Sequence, residues 1–359
     1  MDLSEQNILY IARGCQFAGT EKVVQMLCEA FSPLVNKIVV CCEGNLKSYF
    51  EIANNIKYIR IPDIASKSPS VMVKTARRLR QITRSEDSTL IHTHHRMAAF
   101  YIQLLGLYKG RTFINTSHNT FSDKVSLTRY SFKNAHLIAC GDRVKQNLES
   151  VYQLSNVTTI RNGIKPYTGE IAPDPTIEAL HEKGCIVVGN VGRLSEQKGI
   201  KYFLDDIPEV LKKHNDARFA IVGDGELKQE LMHQAEDLGI IDAVSFLGYR
   251  SDVQNLMAQM DFIVLSSLWE GLPLTPIEAF SVGKTVVATA VDGTIEIVRN
   301  GKNGILVESR DAISLAEGIN RMIETTNRAE LEEEAKKTFN EEFSYSVFSK
   351  QYRNYYENC

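Results

Sequence analysis

The feature that most constrains this chain is a repeating pattern of short, unbroken apolar runs, each followed by an amphipathic stretch. In the first half the runs are NILYIA, KIVVCC, KYIRI, TLIHT, RTFINT, HLIAC and VTTI, with helical patterns such as TEKVVQMLCEAF, VMVKTARRLRQI and RVKQNLESVY between them. A strand apolar at every residue, rather than at every second one, is covered on both faces, and an intervening helix supplies the cover. That combination specifies a parallel sheet in an α/β layer architecture. The pattern restarts after residue 183 with CIVVGNVG, ARFAIVGDG, AVSFLG, DFIVLSS, KTVVATA and GILV. Between the two series, NGIKPYTGEIAPDP carries three prolines and two glycines without periodicity and reads as a linker. The 359 residues are therefore expected to form two doubly wound domains, 1–165 and 166–342. The closing pattern SVFSKQYRNYYENC, part of a predicted helix over 343–359, packs either within the second domain or back on the first.

Charge and cysteine usage exclude several classes. The net charge of −3 gives no overall field for nucleic acid, so an anionic partner needs a local basic cluster. No run approaches the roughly 20 apolar residues that span a bilayer. The opening MDLSEQNILYIARG is acidic and polar before it is apolar, the wrong order for a signal peptide. The seven cysteines (15, 28, 41, 42, 140, 185 and 359) lack zinc-like spacing and mostly sit in apolar runs, as small buried hydrophobes do. A reducing, cytoplasmic setting is the expectation.

Open α/β sheets bind ligands beyond the carboxyl ends of their strands, so the segments after the second-domain strands carry the chemistry. CIVVGNVG runs into Gly192-Arg193-Leu194-Ser195-Glu196-Gln197-Lys198-Gly199. There Arg193 can fork two hydrogen bonds onto phosphate oxygens and Lys198 adds a movable point charge. DFIVLSS runs into Ser267-Leu268-Trp269-Glu270-Gly271-Leu272-Pro273-Leu274-Thr275-Pro276-Ile277-Glu278. Thr275, Pro276 and Glu278 read as N-cap, N1 and N3 of a helix, whose free N–H groups would form an anion site. Glu278 is then either a capping-box carboxylate or, with Glu270, a hydroxyl acceptor beside that anion. Gly223-Asp224-Gly225-Glu226 and Gly248-Tyr249-Arg250-Ser251 supply small turns able to hold a base or a ribose.

Taken in order, GRLSEQKG, VGDGE, FLGYRSDV and Glu270-x7-Glu278 resemble the retaining GT-B glycosyltransferases of family four, the group 1 glycosyl transferases. The likeness extends over nearly the whole chain. It implies two Rossmann-like domains facing a central cleft, a C-terminal helix crossing back to the first domain, and transfer of a hexose or N-acetylhexosamine from a nucleotide-diphosphate sugar. UDP is the default nucleotide on family frequency, and the acceptor a saccharide, glycan or lipid-linked hydroxyl, as in polysaccharide biosynthesis. By the same resemblance Arg193 and Lys198 neutralise the donor pyrophosphate, Glu278 accepts ribose hydroxyls, Glu270 holds sugar hydroxyls beside the reacting carbon, and the turn at Arg250 meets the nucleobase. Gly192, Asp224, Leu274 and Thr275 complete the donor set. Many members have Phe-Gly-Leu-Pro after the Glu-Gly; here Leu272-Pro273-Leu274-Thr275 stands instead, and Pro273 removes one N–H. The sequence contains no Asp-x-Asp, and no metal or other cofactor is expected.

In the first domain, Gly19 stands where the family has a glycine pair, with Ala18 replacing its partner. The histidines of IHTHHR (92, 94 and 95) and His118 of NTSHNT lack a companion carboxylate or thiolate set, so strand-end histidines bonded to backbone carbonyls are expected rather than a metal site. His118 resembles the family histidine that touches the donor sugar, and His94 is assigned to the acceptor side. KTARRLRQITR gathers Lys74, Arg77, Arg78, Arg80 and Arg84 on one helix with Val71, Val73, Leu79 and Ile82 as apolar positions. It reads as a solvated face or as a peripheral contact with anionic lipid. The competing readings are a GT-B-like sugar-nucleotide epimerase and a protein that binds the donor without catalysis, as an accessory to another glycosyltransferase.

Overall fold

The computed structural model describes residues 1–14, 17–311 and 313–359, and the chain forms two compact units. One comprises Met1–Asn162 together with Tyr345–Cys359, the other Gly163–Ser344. The chain passes from one unit to the other after Asn162 and again after Ser344. Cys15, one of the cysteines noted above, lies outside the described residues.

In the first unit, β1 (Asn7–Ile11), β2 (Lys37–Cys42), β3 (Ile56–Arg60), β4 (Leu90–Thr93), β5 (Thr112–Ser117), β6 (His136–Ala139) and β7 (Val157–Thr159) form one sheet, ordered β3-β2-β1-β4-β5-β6-β7. Every pairing is parallel. Each strand coincides with one of the apolar runs, as strands covered on both faces do, although β4 also buries His92 and Thr93 and β5 buries Asn115, Thr116 and Ser117. The order reverses between β1 and β4, which makes the crevice beyond their carboxyl ends the place for a ligand.

The C-terminal helix, Tyr345–Glu357, belongs to this unit. Phe348, Tyr352 and Tyr356 recur every four residues, so one face is aromatic, and all three are buried. Tyr356 stacks on Phe31 of the helix Gly19–Phe31 with ring centroids 4.5 Å apart. Three such side chains, each worth about 2 kcal/mol of apolar burial, are enough to fix a helix of this length.

In the second unit, β8 (Ile186–Val191), β9 (Ala217–Val222), β10 (Val244–Gly248), β11 (Phe262–Leu265), β12 (Val286–Thr289) and β13 (Gly304–Val307) make a parallel sheet ordered β10-β9-β8-β11-β12-β13. Its reversal lies between β8 and β11. The segments after those two strands carry Arg193, Lys198 and Glu270, and Glu278 stands on the helix that follows the second. The amphipathic helix Ile200–Lys213 buries Phe203, Leu204, Ile207 and Val210 over the sheet, with Phe203 edge-on to Phe219 at 5.7 Å.

Candidate active site

Two close backbone approaches shape the loop after β8. Gly199 has φ +60°, and a Cβ there would sit 2.1 Å from the Ser266 carbonyl oxygen. Gly223 has φ +148°, and a Cβ there would lie 1.9 Å from the Gly192 carbonyl oxygen. Only glycine tolerates both conditions. The loops are knitted further where Leu194 N–H donates to Asp224 O at 3.0 Å and Leu268 N–H to Gln197 O at 2.8 Å. A residue after β8 and one after β11 are thereby held side by side.

The pair so positioned is Lys198 and Glu270. The lysine Nζ donates to Glu270 Oε1 at 2.6 Å, Ser267 Oγ donates to the same oxygen at 2.7 Å, and Gln197 Nε2 reaches Oε2 at 3.4 Å. The Glu270 side chain is 6% exposed and that of Lys198 21%. A buried carboxylate that keeps its charge is held by charge-assisted donors. The lysine stem lies against Gly192, where a Cβ would meet its carbons at 3.4 Å. Sequence reasoning gave these two residues separate partners; the fold joins them across 72 positions. It also missed Ser267 and Gln197, whose only signal was their place in the two loops.

The other donor-side residues divide. The Arg193 side chain is 64% exposed and pairs with Glu226 at 3.0 Å. Asp224 is exposed, accepts the Gly225 N–H at 2.8 Å, and has Lys228 at 3.8 Å. Arg250 turns inward to a double clamp, on Asp174 at 2.6 Å and on Asp252 at 2.9 and 2.8 Å. Those carboxylates hold its guanidinium still more firmly protonated than usual. Asp174 in turn caps the helix Pro175–Glu182 through the amides of Thr176 and Ile177. The Arg250 side chain therefore braces its turn.

One helix start needs correction. The helix runs Leu274–Ser281 with Pro273 as its N-cap, so Thr275 is the second helical residue and not the cap. The Thr275 hydroxyl donates instead to the Val191 carbonyl at 3.4 Å, tying the helix to the end of β8. Glu278, the fifth helical residue, is too far along for a capping box; it is 7% exposed. Four backbone groups at a helix start lack an intrahelical acceptor. Here Pro273 and Pro276 bring no N–H, which leaves the amides of Leu274 and Thr275 as that end's donors.

In the first unit, Gly19 opens the helix Gly19–Phe31. On the first turn of that helix, the buried carboxylate of Glu21 accepts the amides of Gly14 at 3.1 Å and Ala18 at 3.3 Å. Burial raises the Glu21 carboxyl pKa. The histidines do not bond backbone carbonyls as expected. His92 lies between Tyr356 Oη (2.6 Å, on Nδ1) and Thr116 Oγ1 (2.7 Å, on Nε2), and His95 Nδ1 accepts the Met97 amide. His94 Nδ1 is 3.0 Å from His118 Nε2, and the two rings stack. The candidate sugar-side and acceptor-side histidines are thus one hydrogen-bonded pair.

Burial depresses the whole group: His92 and His94 lie well below the usual imidazole value, and His95 and His118 are pushed down to about 4. All are neutral near pH 7. His94 Nε2 is buried with no partner among the described residues. An orphaned N–H costs more than an orphaned lone pair, so Nδ1 of His94 carries the proton and donates it to His118 Nε2. His118 then bears its own proton on Nδ1. No group of three or more histidine, cysteine or acidic side chains able to hold a metal occurs among the described residues.

On the helix Pro69–Ser85, Leu79 and Ile82 are buried as expected, but Val73 is 48% exposed. Thr75 and Thr83 take the inner stripe, each returning its hydroxyl to the carbonyl four residues earlier at 2.9 and 2.8 Å. Four of the cysteines (28, 41, 42 and 140) are buried, while Cys185 and Cys359 are half-buried. No helix of the described residues is long and apolar enough to cross a membrane.

Family models match both units: glycosyltransferase family 4 over residues 17–167 and glycosyl transferases group 1 over 174–338. The crystal structure of Anabaena HepE in complex with UDP and glucose superposes with a TM-score of 0.81 over 99% of this chain and 100% of that one, at 20% identity. An uncharacterized glycosyltransferase of Methanocaldococcus jannaschii is 28% identical over 239 residues, 63% of this chain and 61% of that protein. An Escherichia coli UDP-Gal:α-D-GlcNAc-diphosphoundecaprenol α-1,3-galactosyltransferase is 34% identical over 149 residues, 41% of this chain and 38% of that protein. The chain thus spans less than two thirds of either curated relative's own length. With the ordered loops of the second unit, the matched models and a GT-B fold in agreement, the chain belongs to the group 1 glycosyltransferases.

Proposed function

We propose that this protein is a retaining hexosyltransferase. It moves a hexose or N-acetylhexosamine from a nucleotide-diphosphate sugar, UDP by preference, to a saccharide or lipid-linked acceptor hydroxyl with an α-linkage and no metal. The observation that carries this reading is the Lys198–Glu270 pair, 2.6 Å apart at the strand-order reversal of the second unit. The loop of Lys198 also carries Arg193, and the loop of Glu270 leads into the helix that offers the amides of Leu274 and Thr275, donors suited to a diphosphate. UDP and glucose in the HepE complex, and the UDP-galactose named for the bacterial relative, support the nucleotide.

The leaving group carries about two negative charges that grow as the glycosidic bond breaks, and fixed cations and amides stabilise that growth without reorganising. Lys198 and Arg193 neutralise the diphosphate; Glu278 accepts ribose hydroxyls, the turn at Arg250 receives the base, and Gly192 and Asp224 keep the loops close to it. As the anomeric carbon gains oxocarbenium character, the acceptor hydroxyl attacks from the leaving-group face and its proton passes to the departing phosphate oxygen. No protein nucleophile is required. Glu270 holds a sugar hydroxyl, and on family resemblance His118 holds another. Gly19 lets backbone approach the ligand, and His94 sets the orientation of His118.

The exposed Arg77, Arg80 and Arg84 suit a peripheral contact with an anionic membrane on the cytoplasmic face, consistent with a lipid-linked acceptor. Thermal melting against a panel of nucleotide sugars tests the donor, followed by product analysis. The expected result is stabilisation by one UDP-sugar and transfer with retained configuration. Inversion at C2 of the donor, or hydrolysis alone, would overturn the assignment.

A further inference from the structure

The five cations of the helix Pro69–Ser85 do not form one surface. Arg77, Arg80 and Arg84 are exposed, spaced three and four residues apart on the outer face. Lys74 and Arg78 lie four apart on a different stripe and line a groove of about 530 Å³. Its other walls come from beyond the carboxyl ends of β2 and β3, with Glu43 after β2, Arg60 at the end of β3, and Pro62 and Asp63 following. In a parallel sheet that is the ligand-binding side.

The charges there are unbalanced. Arg60 spends its Nε on the Glu43 carbonyl at 2.7 Å, which orients the guanidinium and leaves its terminal nitrogens available. Arg78 gives one N–H to Gln81 at 3.1 Å. Neither arginine, nor Lys74, has a carboxylate partner among the described residues. Of the two acids, Asp63 is committed to the Ala65 amide at 2.8 Å and lies 3.6 Å from Arg13, which brings a fourth cation. Four cations thus face two carboxylates, one of them taken up by Arg13, and a bound polyanion would offset the remaining positive excess. Two planar forks and a movable ammonium match the oxygens of a phosphate or diphosphate, while the Glu43 carboxylate can accept an adjacent hydroxyl.

We infer that this groove is a phosphoryl site of the first unit, holding the phosphate or diphosphate of the acceptor through Arg60, Lys74 and Arg78. That the bound group belongs to an acceptor rests on the glycosyltransferase reading; the site itself is defined by its own residues. The acceptor that carries it is either a soluble or lipid-linked sugar phosphate or a phospholipid whose headgroup is glycosylated.

The test is calorimetric titration of inorganic pyrophosphate into the full chain with saturating UDP present, so that the donor-side cations are engaged. The double variant Arg60→Gln/Arg78→Gln should weaken pyrophosphate binding roughly tenfold for each guanidinium removed. Arg77→Gln/Arg80→Gln/Arg84→Gln should leave it unchanged, and both variants should melt like the parent. Co-sedimentation with phosphatidylglycerol vesicles, against phosphatidylcholine vesicles and in the Arg77→Gln/Arg80→Gln/Arg84→Gln background that removes the outer contact, separates the sources. Loss in the inner variant assigns the site to a lipid headgroup; retention there assigns it to a sugar phosphate. Pyrophosphate binding that is absent, or equal in the inner variant and the parent, overturns the inference. UDP binding measured beforehand, and weakened by Lys198→Ala, tests the glycosyltransferase reading separately.

Discussion

Lys198 serves a carboxylate that two neutral donors also hold, so removing the lysine and removing the glutamate have different consequences. Lys198→Ala leaves the buried Glu270 with only Ser267 and Gln197, and should cost about 3 kcal/mol of stability as well as most transfer. Glu270→Gln keeps the shape and removes the charge. Transfer should fall about a hundredfold or more with the melting temperature little changed, as steady-state kinetics beside thermal melting would show. Cys185→Ala should leave transfer intact. A second residue-scale prediction concerns Asp206, which is 2% exposed with neither carboxyl oxygen partnered among the described residues. Burial, with Asp205 and Asp311 nearby, raises its pKa to about 7. A folded pKa above the unfolded one means stability is lost as pH rises from about 4 to 7. Asp206→Asn should therefore raise the melting temperature at pH 8, with a gain that shrinks toward pH 5; a constant gain would contradict the assigned cause.

At the scale of elements, the histidine group of β4 and the β5 loop works in the opposite direction. Four imidazoles held below their unfolded value bind fewer protons than the unfolded chain as pH falls below about 6.5. The stability they contribute is present above that pH and is lost progressively through the folded value of about 4 for His95 and His118. Melting of the first unit should fall steeply between pH 6.5 and 4, and a flat profile would contradict it. The elements themselves were the most legible part of the sequence. Most of the parallel strands are apolar runs, β4 and β5 being apolar only in their first halves, and the aromatic spacing of Tyr345–Glu357 gave its packed face. Less legible was the start of Leu274–Ser281, where the local Thr-Pro-x-Glu pattern competes with a hydroxyl drawn to the Val191 carbonyl. Val73 fits the periodicity of an apolar face, yet threonines that satisfy themselves on the backbone took the inner stripe.

For the molecule as a whole, two sheets whose strand order reverses once each provide two ligand-binding crevices; Gly19 and His94 follow the strands of one reversal, and Arg193, Lys198 and Glu270 those of the other. The motif order pointed to the family because it samples loops from four successive strands of one unit. The partners within the site were not legible, since Lys198 meets Glu270 across 72 positions and His92 meets Tyr356 across 264. Chain connectivity decides such contacts, and no local pattern encodes them. The central claim is that fixed protein cations in the second unit receive a nucleoside diphosphate without help from a metal. Calorimetric titration of UDP in the presence of a chelator measures this directly. The account predicts binding by the parent chain and an affinity lower by about tenfold or more in Lys198→Ala. UDP binding that requires an added divalent ion, or that is unchanged in the Lys198 variant, would contradict it.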